Sequence, residues 1–132
     1  MRLFSCFLSL AAILVVAGPA VRAERLDGTK WKVKVTPDKE SADKGAKAFD
    51  DEFIFADGQL TSKALQAHGF KPGPYRYETE GDDVEWSADK ENSSGDMVGW
   101  GARVDGKTTT GNFHWQKKDG TSLFFKFTGT KQ

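Results

Sequence analysis

The chain has 132 residues, with 19 Lys and Arg against 19 Asp and Glu, and 12% of its residues are aromatic. This length accommodates one domain, and the neutral balance argues against nucleic acid as a partner, because binding nucleic acid calls for a basic surface. The aromatic content is too high for a disordered chain.

Residues 1–23 have the features of a secretory signal peptide. Arg2 supplies the positive start, an apolar run extends from Leu3 to Val16, and Ala23 is a small residue at the expected cleavage site. The run is shorter than the roughly 20 residues that a membrane-spanning helix needs. We therefore predict a periplasmic or secreted protein, cleavage after Ala23, and a single mature domain, residues 24–132, without a membrane span.

The one cysteine of the chain, Cys6, lies in the segment predicted to be removed. The mature domain would then have no disulfide, no thiolate nucleophile and no cysteine metal ligand. Cleavage also removes two arginines, which leaves two more acidic than basic residues in the mature domain. An exported small domain without disulfides depends on its hydrophobic core, which favours a bacterial periplasm over an animal extracellular fluid.

Alternation of apolar and polar residues dominates the remainder of the chain. This period of two is typical of antiparallel strands that are buried on one face and solvated on the other. Asp-Gly pairs, which suit tight hairpins, separate several of the runs. In chain order the pattern predicts eight strands, over residues 30–36, 49–55, 58–63, 74–80, 83–89, 97–104, 107–116 and 121–129.

Two connections are longer than a hairpin turn. Residues 37–48 are rich in Lys, Asp, Ala and Ser and form either a solvated loop or one turn of helix. The second connection contains a predicted short helix, Ser62 to His68, which Gly69 ends. Pro72-Gly73-Pro74 then stiffens the start of the next strand.

Eight short strands joined mainly by tight turns predict an all-β fold. A Greek-key sandwich requires long crossings between its two sheets, which only the two longer connections could supply. Closure into a barrel removes the exposed sheet edges that a sandwich retains. We therefore predict an antiparallel up-and-down barrel of about eight strands with one short helix.

The opening and closing segments carry a resemblance to a known group. Leu26-Asp27-Gly28-Thr29-Lys30-Trp31 begins the first strand with a Gly-Thr-x-Trp turn, and Gly111-x-Phe113-x-Trp115 and Phe125-x-Phe127-x-Gly129 lie in the last two strands. These runs resemble the first and last strands of small lipocalin-like barrels of the calycin group, over nearly all of residues 26–130. The resemblance implies an up-and-down barrel in which Trp31 plugs the closed end.

In a closed barrel the apolar faces of the strands point inward, and the aromatic residues on those faces are the candidate ligand-binding residues. They are Trp31, Phe53, Phe55, Tyr75, Tyr77, Trp86, Trp100, Phe113, Trp115, Phe125 and Phe127. The interior of an eight-stranded barrel is just wide enough to be filled by side chains or to hold one small ligand. The rings therefore either fill the core or line a cavity. The predicted function is binding of a small hydrophobic or aromatic molecule in the interior.

A second hypothesis is a non-enzymatic barrel that binds an envelope protein, such as an inhibitor of a periplasmic protease or lysozyme. Its candidate contact is the rigid loop from Gly69 to Pro74, in which Phe70 would be an exposed aromatic residue at the rim. Gly99 and Gly101 lie on the polar face beside Trp100 and favour a bend in the sheet. The alternative is that they leave room for a partner to pack against the backbone.

The sequence contains no pattern that indicates catalysis, a cofactor or a metal. The two histidines, His68 and His114, are not spaced as a metal-binding pair, and the acidic clusters at 50–52 and 80–83 lack the spacing of a calcium loop. A Gly-x-Ser-x-Gly nucleophile elbow and a Gly-rich phosphate loop are also missing. We therefore expect a protein that is not an enzyme and that uses no cofactor.

Overall fold

The structure is a computed structural model that describes residues 26–81 and 83–132, so the predicted signal peptide and its cleavage site lie outside the described residues. The described part contains eight strands and two short helices. In chain order these are β1 (Thr29–Pro37), α1 (Lys39–Asp43), β2 (Phe49–Ala56), β3 (Gln59–Ser62), α2 (Lys63–Gln66), β4 (Gly73–Glu80), β5 (Asp83–Glu91), β6 (Met97–Asp105), β7 (Thr108–Gln116) and β8 (Ser122–Lys131).

The eight strands close into one antiparallel barrel, in which each strand pairs with its neighbours in sequence and β8 pairs with β1. Trp31 marks the closure, because it pairs with Phe53 on β2 and with Lys131 on β8. The predicted all-β, up-and-down barrel is confirmed. Each strand begins and ends within about two residues of its predicted bounds, because the period-two pattern runs almost to the turns.

The segment between β1 and β2 forms α1, so the domain has one helix more than predicted. Asp38 is the N-cap of α1, and its carboxylate accepts a hydrogen bond from the Ser41 N–H at 2.7 Å. Ser41 is buried, and its hydroxyl oxygen accepts a hydrogen bond from the Phe124 N–H at 2.7 Å. This contact fixes α1 onto β8. Within residues 26–81 and 83–132, no helix is long and apolar enough to cross a membrane.

The two ends of the barrel are built differently. The plugged end holds residues 26–28 together with the β2–β3, β4–β5 and β6–β7 turns. The opposite end, which we call the helical end, carries α1, α2 and the β5–β6 and β7–β8 connections. It also carries residues 67–72, between α2 and β4, which we call the cover loop.

The core lies inside the barrel and consists largely of aromatic rings. Phe53 and Phe55 are fully buried, and each contacts Trp86 edge-on, with ring centroids 5.6 and 5.1 Å apart. Phe53 also meets Phe127 at 5.3 Å. Edge-to-face contacts of this kind stabilise ring pairs beyond the gain from burial alone.

The closest approach of two strands at a glycine is at Gly111 on β7. An added Cβ there would collide with the Gly101 carbonyl oxygen and with Ala102, both on β6. Gly101 has open space around its Cα, and a Cβ on Gly99 would come closest to the Asp89 carboxylate, at 3.0 Å. The tight position in this part of the sheet is therefore Gly111, whereas Gly99 and Gly101 leave the outer face of β6 uncovered.

Candidate functional site

The aromatic residues predicted to face the interior all belong to the core or pack against it. Eight are buried (Trp31, Phe53, Phe55, Trp86, Trp100, Phe113, Phe125 and Phe127), and three are partly buried (Tyr75, Tyr77 and Trp115). Their neighbours are mostly other rings: Phe113 lies 5.3 Å from both Trp100 and Phe125, measured between centroids. Ring therefore meets ring across the middle of the barrel, which agrees with a filled interior there.

The plugged end is closed by the Gly-Thr-x-Trp segment. Trp31 is buried, its indole N–H donates to the Thr29 hydroxyl at 2.9 Å, and that hydroxyl donates to the Leu26 carbonyl at 2.5 Å. The Tyr75 hydroxyl donates to the Asp27 carboxylate at 2.5 Å. Burial and the adjacent Asp27 raise the pKa of Tyr75, because both disfavour the phenolate. These bonds tie the start of β1 to β4 and give this end a structural role.

The helical end is closed by α2 and the cover loop. Leu65 and Phe70 are buried, and the ring centroid of Phe70 lies 5.9 Å from that of Trp115. The His68 ring also meets Trp115 edge-on, at 5.0 Å. The Asn92 side-chain amide donates to the His68 carbonyl at 2.8 Å and so fastens the cover loop to the β5–β6 connection.

Phe70, the predicted rim residue, is only 2% exposed. The expected exposed aromatic anchor in this loop is therefore not observed. The reason is that Gly69, with φ +85°, turns the chain after α2 and the Phe70 ring packs on Trp115 inside the barrel.

Two charged residues that we did not select from the sequence lie on inward faces at the helical end. Asp51 shares the inward face of β2 with Phe53, and Lys90 shares that of β5 with Ala88. The same alternation that predicted the inward rings, continued to the end of each strand, would have found both.

Asp51 caps α2 from the neighbouring strand. Its carboxylate accepts hydrogen bonds from the Ser62 hydroxyl, from the Ala64 N–H at 2.9 Å and from the Glu52 N–H at 2.7 Å. Asp51 thereby replaces the N-cap side chain, since Ser62 at the N-cap position makes no capping bond. Burial nevertheless raises the pKa of Asp51, because desolvation outweighs the hydrogen bonds that favour the carboxylate.

Lys90 is a partly buried cation without a partner carboxylate. Its ammonium donates to the Leu60 carbonyl and lies 5.7 Å from the centre of the Trp100 ring, and its methylene stem packs beside Gly73. None of the salt bridges among the described residues involves Lys90. Burial lowers the pKa of Lys90 to about 8, and the negative charge of Asp51 opposes this shift.

A hollow of about 420 Å³ opens beside Lys90 at the rim of the helical end. One side of it is lined by Gly69 and residues 71–74, and the other side is lined by Asp89 to Ser93. Larger hollows, of about 550 and 770 Å³, lie on the outer faces of strands among exposed charged side chains. The hollow beside Lys90 is the better candidate site despite its smaller size, because it lies between the cover loop and a partly buried charge at the rim of the barrel.

The outer face of β6 to β8 carries an exposed apolar patch. Met97 is 44% exposed and Phe124 is 49% exposed. The rings of His114 and Phe124 stack in parallel, with centroids 4.5 Å apart. Gly99 pairs with His114, so the uncovered backbone of β6 adjoins this stack. Across the described ranges, no group of three or more His, Cys, Asp or Glu residues is placed to hold a metal ion.

Comparison with other proteins identifies no related protein from which a function could be inferred. No protein-family model matches the chain, and neither a curated protein nor a solved structure matches it. The likeness to lipocalin-like proteins therefore rests on the closed, eight-stranded antiparallel barrel.

Proposed function

We propose that the protein is an exported, calycin-type barrel that binds a small hydrophobic or aromatic molecule at its helical end. The observation that supports this most directly is the hollow beside Lys90, one wall of which is formed by the cover loop, whose Phe70 ring packs on Trp115. The lining of the hollow is mainly charged and polar, so the apolar contacts that a small-molecule site usually provides would have to come from the rings beneath the cover loop.

The hydrogen bonds of the cover loop favour its movement as a unit. The N–H groups of His68, Gly69 and Phe70 donate to carbonyls of α2, at 2.9 to 3.2 Å, and not to a neighbouring strand. Lifting the loop together with α2 would therefore keep these bonds, but it would break the bond from Asn92 and the bond by which the β2 carboxylate caps α2. The main cost would be exposure of the buried side chains on these segments, Phe70 among them, at roughly 1.5–3 kcal/mol for each one. An apolar ligand that takes the place of this ring would recover that cost.

A disulfide across the cover loop tests the proposal. A Cβ added to Gly69 would lie 3.7 Å from the Asn92 Cβ, which is within the range of disulfides, about 3.5–4.5 Å. We expect the Gly69→Cys/Asn92→Cys protein, with Cys6→Ser, to bind the neutral dye Nile red when reduced and to lose at least about ten-fold in affinity when oxidised.

The matched control is Gly69→Cys alone, because a side chain at this positive φ is strained whether or not the disulfide forms. Fluorescence titration of the dye gives the affinities. Equal affinity of the oxidised and reduced forms would show that ligands do not enter under the cover loop.

Export is part of the proposal and rests on residues 1–23 of the sequence. We expect the protein recovered from the periplasm or medium to begin at Glu24, which mass spectrometry of the intact chain would show. A recovered chain that still contains Arg2 would contradict cleavage.

We propose protein binding as a second candidate function, on the evidence of the exposed patch of Met97, His114 and Phe124. Exposed apolar patches of this kind mark interaction sites more often than single exposed side chains do. The test is a pull-down from an envelope extract with the parent protein and with a Met97→Gln/Phe124→Ser variant. A partner recovered equally by both proteins would exclude this patch as the contact.

A further inference from the structure

The fold does not require a glycine at position 101, on the outer face of β6. Neither Gly99 nor Gly101 has a positive φ, so residues with side chains could adopt both backbone conformations. A Cβ on Gly101 would have no atom within 4 Å, and β6 pairs with β5 and β7 continuously through both positions, which excludes a bulge. Glycine weakens the interior of a strand and often marks a place where a ligand approaches the backbone. The position of Gly101 therefore favours a surface that is kept bare for a ligand.

This bare backbone is the floor of a trough along the outer face of β6. Hollows of about 430, 500 and 550 Å³ follow one another from Met97 to Arg103, and Gly99 or Gly101 lines each of them. At the usual rise of a strand this distance is about 20 Å. We call the three hollows together the outer trough. Its length suits an extended chain molecule better than a single compact ligand.

The walls of the outer trough carry both donors and acceptors of hydrogen bonds. Ser87 and Asp89 form the wall on β5, and Asn112 and His114 form the wall on β7, with the exposed ring of Phe124 beside His114. Within residues 26–81 and 83–132, the Asn112 amide has no hydrogen-bond partner, and the buried Nε2 atom of His114 has none either. A buried polar atom in this state is rare in folded proteins. These walls suit a ligand that is rich in hydroxyl groups and also has an apolar face.

The charges of the outer trough argue against an anionic ligand. Its two arginines, Arg76 and Arg103, already pair with Asp89 and Asp83, at 2.9 and 3.2 Å. In the part of the chain that the structure describes, Glu85 also lines the trough and forms no salt bridge. A polyanion would therefore meet carboxylates that repel it, whereas a neutral ligand can use them as acceptors.

An extended peptide would fit the outer trough poorly. The backbone groups of β6 bond to β5 on one side and to β7 on the other, so a peptide in the trough would find no strand edge to pair with. Its own N–H and C=O groups would lose water without gaining backbone partners, which costs free energy. A polysaccharide instead presents hydroxyl groups, which side chains can satisfy, and C–H faces, which pack on aromatic rings.

We propose that the outer trough binds a neutral polysaccharide. A sugar ring packs its C–H face on the ring of Phe124, and its hydroxyl groups bond to the side chains of Asp89 and Asn112 across the glycine floor. This inference goes beyond the interior ligand and the protein partner proposed above, because it assigns a different class of molecule to the outer face of β6. The site shares Phe124 with the patch proposed as a protein contact, so the experiment has to separate the two occupants.

Neutral hexasaccharides serve as probes, namely cellohexaose, laminarihexaose, maltohexaose and chitohexaose. Titration calorimetry would measure each with the parent protein, with Gly101→Gln, with Phe124→Ala and with Thr130→Gln. The side chain added in Gly101→Gln enters open space in the trough, so this variant should unfold at a urea concentration no lower than the parent protein does. Thr130→Gln is the control, because Thr130 is exposed on the outer face of β8 but lines none of the three hollows.

We expect the parent protein and Thr130→Gln to bind at least one probe with a Kd below about 1 mM, and Gly101→Gln and Phe124→Ala to bind it at least ten-fold more weakly. If no probe binds the parent protein, or if Gly101→Gln keeps the affinity, the polysaccharide inference is overturned. If no probe binds but Gly101→Gln recovers less of an envelope protein than the parent protein does in a pull-down, the trough is a protein contact and the inference is likewise overturned. Nile red should bind all four proteins alike, and its failure to bind any of them would contradict the interior function alone.

Discussion

The carboxylate of Asp51, on β2, accepts a hydrogen bond from the Ala64 N–H at 2.9 Å and so holds the first turn of α2 to the barrel wall. Removing this acceptor in Asp51→Ala leaves the Ala64 N–H and the Ser62 hydroxyl without their partner. We expect a loss of about 1–2 kcal/mol in the free energy of unfolding, as for other capping residues. Urea unfolding at neutral pH measures it.

The variant Asp51→Asn distinguishes the role of Asp51 as a hydrogen-bond acceptor for α2 from the effect of its negative charge. The pKa of Asp51 is raised in the folded chain from 3.8, so the folded state binds the proton more tightly than the unfolded state does. The contribution of Asp51 to stability therefore falls as the pH rises above about 4, through the raised pKa. In Asp51→Asn this contribution to the pH dependence of stability should vanish, because the amide does not titrate, although the side chain keeps one acceptor oxygen. Urea unfolding between about pH 4 and about pH 7 compares the slopes, and an unchanged slope in the variant would contradict this account.

Lys90 should give the opposite pH dependence. Its pKa is lowered from 10.5 to about 8, so the unfolded state holds the proton more tightly and the folded state carries a penalty below pH 8. Stability from this group therefore rises as the pH increases from about 8 to 10.5. We expect Lys90→Met to lose that rise and to be relatively more stable at neutral pH than at alkaline pH. A rise of equal size in both proteins, measured by urea unfolding, would refute the prediction.

The filled middle of the barrel predicts a large cost for truncating an inner ring. Phe53 is fully buried and contacts Trp86 and Phe127, so Phe53→Ala should lower the free energy of unfolding by about 3–5 kcal/mol. Phe124 is the control, because it is 49% exposed on the outer face, and Phe124→Ala should change stability by about 0.5 kcal/mol or less. Similar losses in the two variants would show that the interior is not close-packed around Phe53.

A hydrogen bond inside the barrel gives a further test. The hydroxyl of Thr109, which is fully buried, accepts from the Trp86 indole N–H at 3.1 Å and donates to the Arg103 carbonyl at 2.9 Å. Thr109→Val keeps the shape but leaves the indole donor unpaired, and we expect a loss of about 1–3 kcal/mol. Thr110→Val, at an exposed position on the same strand, is the control. Equal midpoints of unfolding for the two variants would argue against a role for this bond.

The sequence predicts the barrel well because strand, turn and burial all follow from a local pattern. Trp86 and Trp100, for example, each lie in a run whose alternation is uninterrupted, and both are buried. The candidate site is less accessible to such reasoning. Lys90 and Asp51 interrupt the apolar face at the ends of their strands. A charged residue at such a position normally indicates that the strand has ended and a solvated turn has begun.

The cover of the helical end depends on tertiary contacts that have no local signature. The short helix predicted over Ser62 to His68 is observed as α2, but a helix of four residues is too short for a helical period to show which of its faces is buried. Its cap comes from Asp51, which lies 13 residues before Ala64 in the sequence. Phe70 follows a glycine and precedes a proline-rich stretch, which is typical of an exposed loop, and only the position of Trp115 shows that the ring is buried.

The pairing of β1 with β8 also determines on which side of the barrel a tag or fused domain after Gln132 would lie. The Gln132 N–H donates to the Lys30 carbonyl at 2.8 Å, so the C-terminal residue lies beside the start of β1, at the plugged end. A tag, tether or fused domain added after Gln132 would emerge on that side, opposite the cover loop. Immobilisation through the C-terminus should therefore present Lys90 and its hollow to the solution, which makes surface-based ligand measurements practicable.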